Sequence, residues 1–554
     1  MALATRLSQY LPKSSILLLE AGPAAPDEMR INIPGMRGST LFSEYDWNYT
    51  SIPQKALNGR TIDVNRGKVL GGSSALNYLC YDRAAATEYD TWGELAEDKT
   101  WGWKNMLPAM IKAENYTDDL SRVDPKYHGK QGPIRNLFNR ILPKQLDTWI
   151  PTLKSLGIPH NKESLGGDNI GVMYQGTNID PTHYTRSYSA SSYLPAAGSN
   201  LKVKTNSRVV KIDLDKKLRA VGVVLEDGSK FSANKEIILS AGSIGSPMLL
   251  ELSGIGQSKV LKAAGIKPIL ELPGVGENYQ DHIRVGTAFK LKSNYTSFDP
   301  FIYDPTSPFV AEQMQLRLDG KVSWLDYTSS AYSFVNWGLI LDKKAESNLL
   351  SLAKNGAEKG NVVDAAKLKW LSDKKVPQLE IIMEANYVGV GQYPGGPILT
   401  LLASVMHPMS RGSTHISATN PVTSKPVIDV NYFSNPYDRQ AMLEGARYTR
   451  KIANTEPMKS AWTSEYEPGV DVDTEDEWKD FVTKATLTFF HPVGTCAMLP
   501  QKKGGVVDSE LKVYGTEGLR IVDASIMSAL ISGHIQTAVY GITEIAAKMI
   551  ADDA

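Results

Sequence analysis

Cysteine is the scarcest informative residue here. Cys80 and Cys496 are the only two in 554 residues, which excludes a disulfide framework and a Cys-rich zinc site and leaves room for one bridge at most. No run of about 18 consecutive apolar residues occurs, so no membrane-spanning helix is expected. Net charge is also missing: 60 basic residues balance 60 acidic ones, and no long-range field steers the chain to nucleic acid or anionic lipid. The first residues, Met1-Ala2-Leu3-Ala4-Thr5-Arg6, lack the basic head and apolar core of a secretion leader, so the chain as given reads as soluble. Asn-Tyr-Thr sequons start at Asn48, Asn115 and Asn294, about as many as chance supplies, and say little about secretion. The eight histidines are scattered without a His-Glu-x-x-His pattern, and no Gly-x-Ser-x-Gly elbow is present. Metal-dependent and serine hydrolysis are both disfavoured.

What is present reads as a globular protein. Apolar content of 42% and charged content of 22% are ordinary, and the length implies two or more domains. Leu3 and Leu7 start a helix. The run Ile16-Leu17-Leu18-Leu19-Glu20-Ala21-Gly22 then reads as a buried parallel strand ending in an acid. Glu20 would there either bind an adenosine ribose or carry a strand-end charge to solvent. Asn65 to Asn77 forms a Gly/Ser turn. Its paired glycines and small hydroxyls suit an anion or the close approach of a flat ring, or simply a tight capped loop.

Strands and hairpins follow from Leu201 to Gly242, turning at Asp227-Gly228. The connector Leu272 to His282 is turn-rich, and His282 reads as structural. Between about 283 and 480, the stretches Gln378 to Tyr387, Ile398 to Met406, Ser413 to Ser417 and Pro426 to Val430 predict an antiparallel sheet able to wall a substrate pocket. The segment Asp342 to Lys375 reads as exposed helix and loop, a flexible insertion. In the last helix, Ile535, Ala538, Val539, Ile542 and Ile545 share one face and should pack on a core.

Two histidines carry the chemistry. His491 lies in Phe489-Phe490-His491-Pro492-Val493-Gly494-Thr495, and His534 in Ser532-Gly533-His534-Ile535-Gln536. Imidazole is the side chain best suited to take a proton at neutral pH. Alone, a histidine is more often structural than catalytic.

Taken in order, these strings resemble the glucose–methanol–choline (GMC) oxidoreductase family. The matching pieces are Leu17 to Gly22, Arg66 to Ser74, Ser240-Ala241-Gly242, Ser253 to Gly256, Gly274 to Asn278, His491 to Thr495 and Val522 to Ser525. The likeness is nearest to the fungal branch of aryl-alcohol oxidases, patulin synthase and versicolorin B synthase. It implies an FAD-binding Rossmann-like domain (α/β) joined to an α+β substrate domain built on an antiparallel sheet. Residues 1-140, 200-282 and 485-554 would bind FAD, and residues 141-199 and 283-484 the substrate. It also implies oxidation of a small-molecule alcohol of aromatic or secondary-metabolite type by hydride transfer. His491 would be the base and His534 its partner. Glu20 would hold the ribose; Gly71, Gly72, Ser73, Ser74 and Asn77 would lie along the diphosphate and flavin; Val209 would lie near adenine. Asp523, Ala524, Ile535 and Gln536 would touch the flavin, and Phe490 would wall the pocket.

One departure stands against this. No first strand and no G-x-G-x-x-G turn occur, although that turn is what brings backbone amides to the pyrophosphate. The sequence begins inside what would be the first helix. Either the chain is shortened or the protein has lost flavin; the retained Glu20 and Gly-Gly-Ser-Ser favour the first. Two other functions remain: a dehydrative cyclase using the same histidines without redox chemistry, and an inactive scaffold.

Overall fold

Helix Ala2–Tyr10 ends at Leu11, and the chain turns into the strand Ile16–Leu19. The computed structural model describes all residues, 1–554. Leu3 and Leu7, one turn apart, enter a core shared with Met106 and Met110 of helix Trp103–Ala113 and with Ala538, Ile542 and Ala546 of helix Gln536–Asp552. The expected face of the last helix is the face that packs, with Ile535, Val539 and Ile545 at its margin.

Strand Ile16–Leu19 pairs in parallel with Leu201–Lys204, and Ile237–Leu239 pairs in parallel with Leu519–Ile521. The two pairs are not joined, and each is a two-stranded sheet. Ile16 and Glu20 donate to Asn200 and Lys204, so the alternation of a parallel ladder turns the Leu17 and Leu19 amides to the unpaired edge. The strand is therefore not fully buried as its sequence predicts: Leu17 is 42% exposed. An apolar run fixes that a strand wants neighbours on both sides; it does not supply them.

The larger core is built on a seven-stranded sheet. Ile283–Leu291 pairs antiparallel with Ile398–Val405, which pairs with Leu379–Glu384, then Ala331–Val335, then Gly171–Tyr174. On the other side, Ile283–Leu291 takes Trp462–Glu467 and the short strand Leu487–Thr488. Strand alternation sorts the faces. Leu379, Ile381, Met383, Leu399, Leu401 and Ala403 point into the core beneath helix Pro436–Ala453, while Tyr332, Ile382 and Leu402 point the other way.

Two further expectations change. Ser413–His415 and Val427–Asp429 pair only with each other, outside the large sheet. Residues 342–375 are helical, as Lys343–Gly356 and Val362–Ser372, yet they are packed rather than loose: Leu349, Ala353, Trp370 and Leu371 are buried. The polar composition belongs to their outer faces. Both cysteines are free and buried. No helix is long and apolar enough to cross a membrane.

Candidate active site

One cavity of about 1920 Å³ lies between the parallel strand pairs and the large sheet. All the residues singled out from the sequence border it: Glu20, Gly71, Gly72, Ser73, Ser74, Asn77, Val209, Phe490, His491, Asp523, Ala524, His534, Ile535 and Gln536. Sites for drug-sized ligands usually measure about 300–1,000 Å³, so there is room here for a large cofactor and a substrate together.

Several features suit a flat, phosphate-bearing group. Gly71 has φ +104° and its missing Cβ would lie 2.8 Å from the Tyr188 ring; Gly72 has φ +56° and its missing Cβ would meet nothing within 4 Å. The turn is therefore glycine-dependent on one side and open on the other. Glu20 accepts from the Gly22 amide at 2.8 Å, and burial raises its carboxyl to about 7. Asp523 caps the turn Ala524–Ile526 through the Ser525 amide and takes the Gly242 amide on its other oxygen. Asn77 donates to Gln536 at 2.5 Å and is held by Arg186. The amide-rich turn expected before Glu20 is not among the residues around the cavity.

At the sheet side of the cavity the two histidines meet, with ring centroids 4.8 Å apart at 88°. Phe489 lies against both rings. The His491 loop is held under strain, because the preceding Phe490 has φ +63°, a left-handed conformation that bulky residues rarely adopt. Three bonds oppose that strain. Arg66 donates to the Phe490 carbonyl (2.7 Å), the Phe490 amide to Thr488 Oγ1 (2.7 Å), and the His491 amide to Asp281 Oδ1 (2.8 Å).

His282, taken from the sequence as structural, touches His491. Its Nδ1 lies 2.9 Å from His491 Nδ1, and its Nε2 lies 3.0 Å from the Met406 carbonyl oxygen. That oxygen can only accept, so His282 Nε2 carries the hydrogen. Burial, then the charges of His407 and His534, hold His282 neutral, its pKa well below the usual histidine value. Its Nδ1 is therefore a bare acceptor, and His491 Nδ1 must donate to it. His491 is itself kept neutral by burial and by His534, His282 and Arg66. Its lone pair then sits on Nε2, which makes no hydrogen bond to the protein. An acid and a histidine at the end of a glycine-rich connector, Asp281-His282, were the available signal for this pair.

His534 is the opposite case. Burial disfavours its charge, but Cys80, Glu380 and Asp82 outweigh burial and hold it protonated well above the usual range. Its Nε2 lies 3.0 Å from Glu380 Oε1 and 3.9 Å from Asp82 Oδ2, and its amide donates to Asp82 Oδ1 at 2.9 Å. Ligand atoms of these three residues lie within 4.8 Å of one another. The imidazolium offsets one of the two carboxylate charges. Burial, with Glu380 adding to it, raises Asp82 to about 7. The site thus pairs a neutral imidazole with a charged one, suited to taking a proton from a hydroxyl while stabilising the negative oxygen left behind.

A family model described as GMC oxidoreductase matches the chain in two parts, residues 24–284 and 408–543. GMC oxidoreductase family protein Mala s 12 of Malassezia sympodialis is 34% identical, with 99% of this chain and 90% of that protein covered. Among solved structures, an FAD-dependent oxidoreductase from Chaetomium thermophilum superposes with a TM-score of 0.89 at 28% identity, covering 100% of this chain and 97% of that one. A fungal aryl-alcohol oxidase does so with a TM-score of 0.85 at 26% identity, covering 100% and 97%.

Proposed function

The chain belongs to the GMC oxidoreductase family and is an FAD-dependent oxidoreductase, and we propose that it oxidises a small-molecule alcohol of aromatic type with His491 as the base. The single observation that carries this reading is the tautomer chain from Met406 through His282, which leaves His491 Nε2 unprotonated and unpartnered beside a protonated His534.

The redox chemistry, acceptance of a hydride from the carbinol carbon, is what bound FAD would supply. Its holders are proposed as Glu20 for the ribose, Gly71 to Ser74 and Asn77 along the diphosphate and flavin, Val209 near adenine, and Asp523, Ala524, Ile535 and Gln536 at the flavin. The open space over Gly72 and the size of the cavity support this. We assign residues 1-140, 200-282 and 485-554 to the cofactor side and 141-199 and 283-484 to the substrate side. The parallel strand pairs of the first group and the antiparallel sheet of the second support that division.

The protein handles the proton. His491 Nε2 accepts it from the substrate hydroxyl, and His282 holds that nitrogen in the basic tautomer until the transfer. The His534 imidazolium attracts the developing alkoxide, while Glu380 and Asp82 hold its ring and maintain its charge. Phe489 and Phe490 exclude water from the reacting atoms, which strengthens both effects. Neutral His491 also needs no prior deprotonation near neutral pH.

Anaerobic mixing of the FAD-loaded protein with benzyl alcohols tests the reading, with flavin bleaching as readout. His491→Ala is expected to slow bleaching by about 10²–10⁴-fold, the usual contribution of a positioned base. Unchanged bleaching removes His491 from that role.

A further inference from the structure

Arg284 stands two residues after His282, and strand alternation places both on the same face of the large sheet. Its side chain lines the cavity. Unlike the other arginines of this wall, it has no partner. Arg37 makes two bonds to Glu384, at 3.2 and 2.8 Å, and also lies over the Tyr78 ring. Arg66 donates to Phe490. The Arg284 side chain makes no hydrogen bond, ion pair or ring contact, and only the more distant Tyr78 and Glu384 oppose its burial, which holds its pKa below the usual arginine value. Glu384 is already committed to Arg37 and to Ser329.

The group Arg37, Glu384 and Arg284 therefore holds two guanidinium charges against one carboxylate. Guanidinium does not shed its proton, so the surplus charge persists at any working pH. A half-buried cation without a counter-ion is costly in a resting protein, and a planar fork of donors matches a carboxylate. Arg284 and His491 border the same cavity, so one ligand can reach both.

We propose that Arg284 is an anion subsite and that the substrate is an alcohol that also bears a carboxylate. The alcohol half of that statement rests on the alcohol-oxidation reading given above. The carboxylate lies in the Arg284 fork and the hydroxyl reaches His491. Tyr78, stacked on Phe490 at 6.5 Å, joins the two ends.

Calorimetric binding of benzoate and of its neutral counterpart benzamide to the FAD-loaded protein tests the subsite without turnover. Benzoate is expected to bind roughly ten- to hundredfold more tightly. Arg284→Met is expected to abolish the preference and Arg284→Lys to keep part of it, with thermal melts confirming that both variants fold. Equal binding of the two ligands by the unmodified protein overturns the proposal, as does a preference that survives Arg284→Met. Failure of the alcohol reading would instead appear as no flavin bleaching by any alcohol, whatever the benzoate result.

Discussion

His491 and His534 show how one side-chain type acquires two characters from its surroundings. A carbonyl that can only accept sets the hydrogen on His282, and His282 sets it on His491. In His282→Gln both tautomers of His491 become available. Flavin bleaching is then expected to slow at least about tenfold, as when a triad histidine loses its orienting partner. The ¹⁵N resonances of His491 should move toward a mixed tautomer; an unshifted signal would remove His282 from the positioning role. At His534 the controlling groups are acids. Asp82 is raised to about 7 by burial, with Glu380 adding to it and His534 opposing. A raised acid contributes stability that is complete below its unfolded value of about 3.9 and is lost as pH rises through about 7. Asp82→Asn keeps the acceptor for the His534 amide and removes the titration. The variant is expected to gain stability relative to the parent between pH ~4 and ~7, by up to about 4 kcal/mol, in urea titrations across that range.

The helices Lys343–Gly356 and Val362–Ser372 are the element whose role composition hid. Lysine is the commonest residue of the segment, yet Trp370 is 1% exposed, donates to Thr91 Oγ1 at 3.0 Å and lies 5.0 Å from the His407 ring. Trp370→Ala is expected to cost about 3–5 kcal/mol, the range for removing a buried aromatic, seen as a lowered denaturant midpoint. In the folded parent, protease should leave residues 343–372 uncut. Rapid cleavage there would restore the reading of a loose insertion.

At the scale of the whole molecule, two parallel pairs present unpaired edges to one cavity. Ile16–Leu19 and Ile237–Leu239 each leave backbone donors and acceptors unmatched on that side, which a parallel strand would satisfy. Placing a β-strand and a Gly-rich turn ahead of Met1 is expected to raise both the melting temperature and the flavin retained through gel filtration. No change in either would mean that the gap is not a strand site.

The sequence by itself determined the order of its motifs, and with them the family, the cofactor and the two histidines. Each of those signals is local: a glycine where the backbone must turn, an acid at a strand end, an imidazole in a short rigid loop. The apolar runs from Gln378 to Tyr387 and from Ile398 to Met406 were legible as strands for the same reason. Only the tertiary structure decided which histidine is neutral, because that follows from Met406 and Glu380, residues far from both in the chain. It also decided that His282 backs His491, that Arg284 faces the cavity and that Arg284 has no counter-charge. Partnership, burial and charge balance are properties of neighbours in space, and chain order does not contain them.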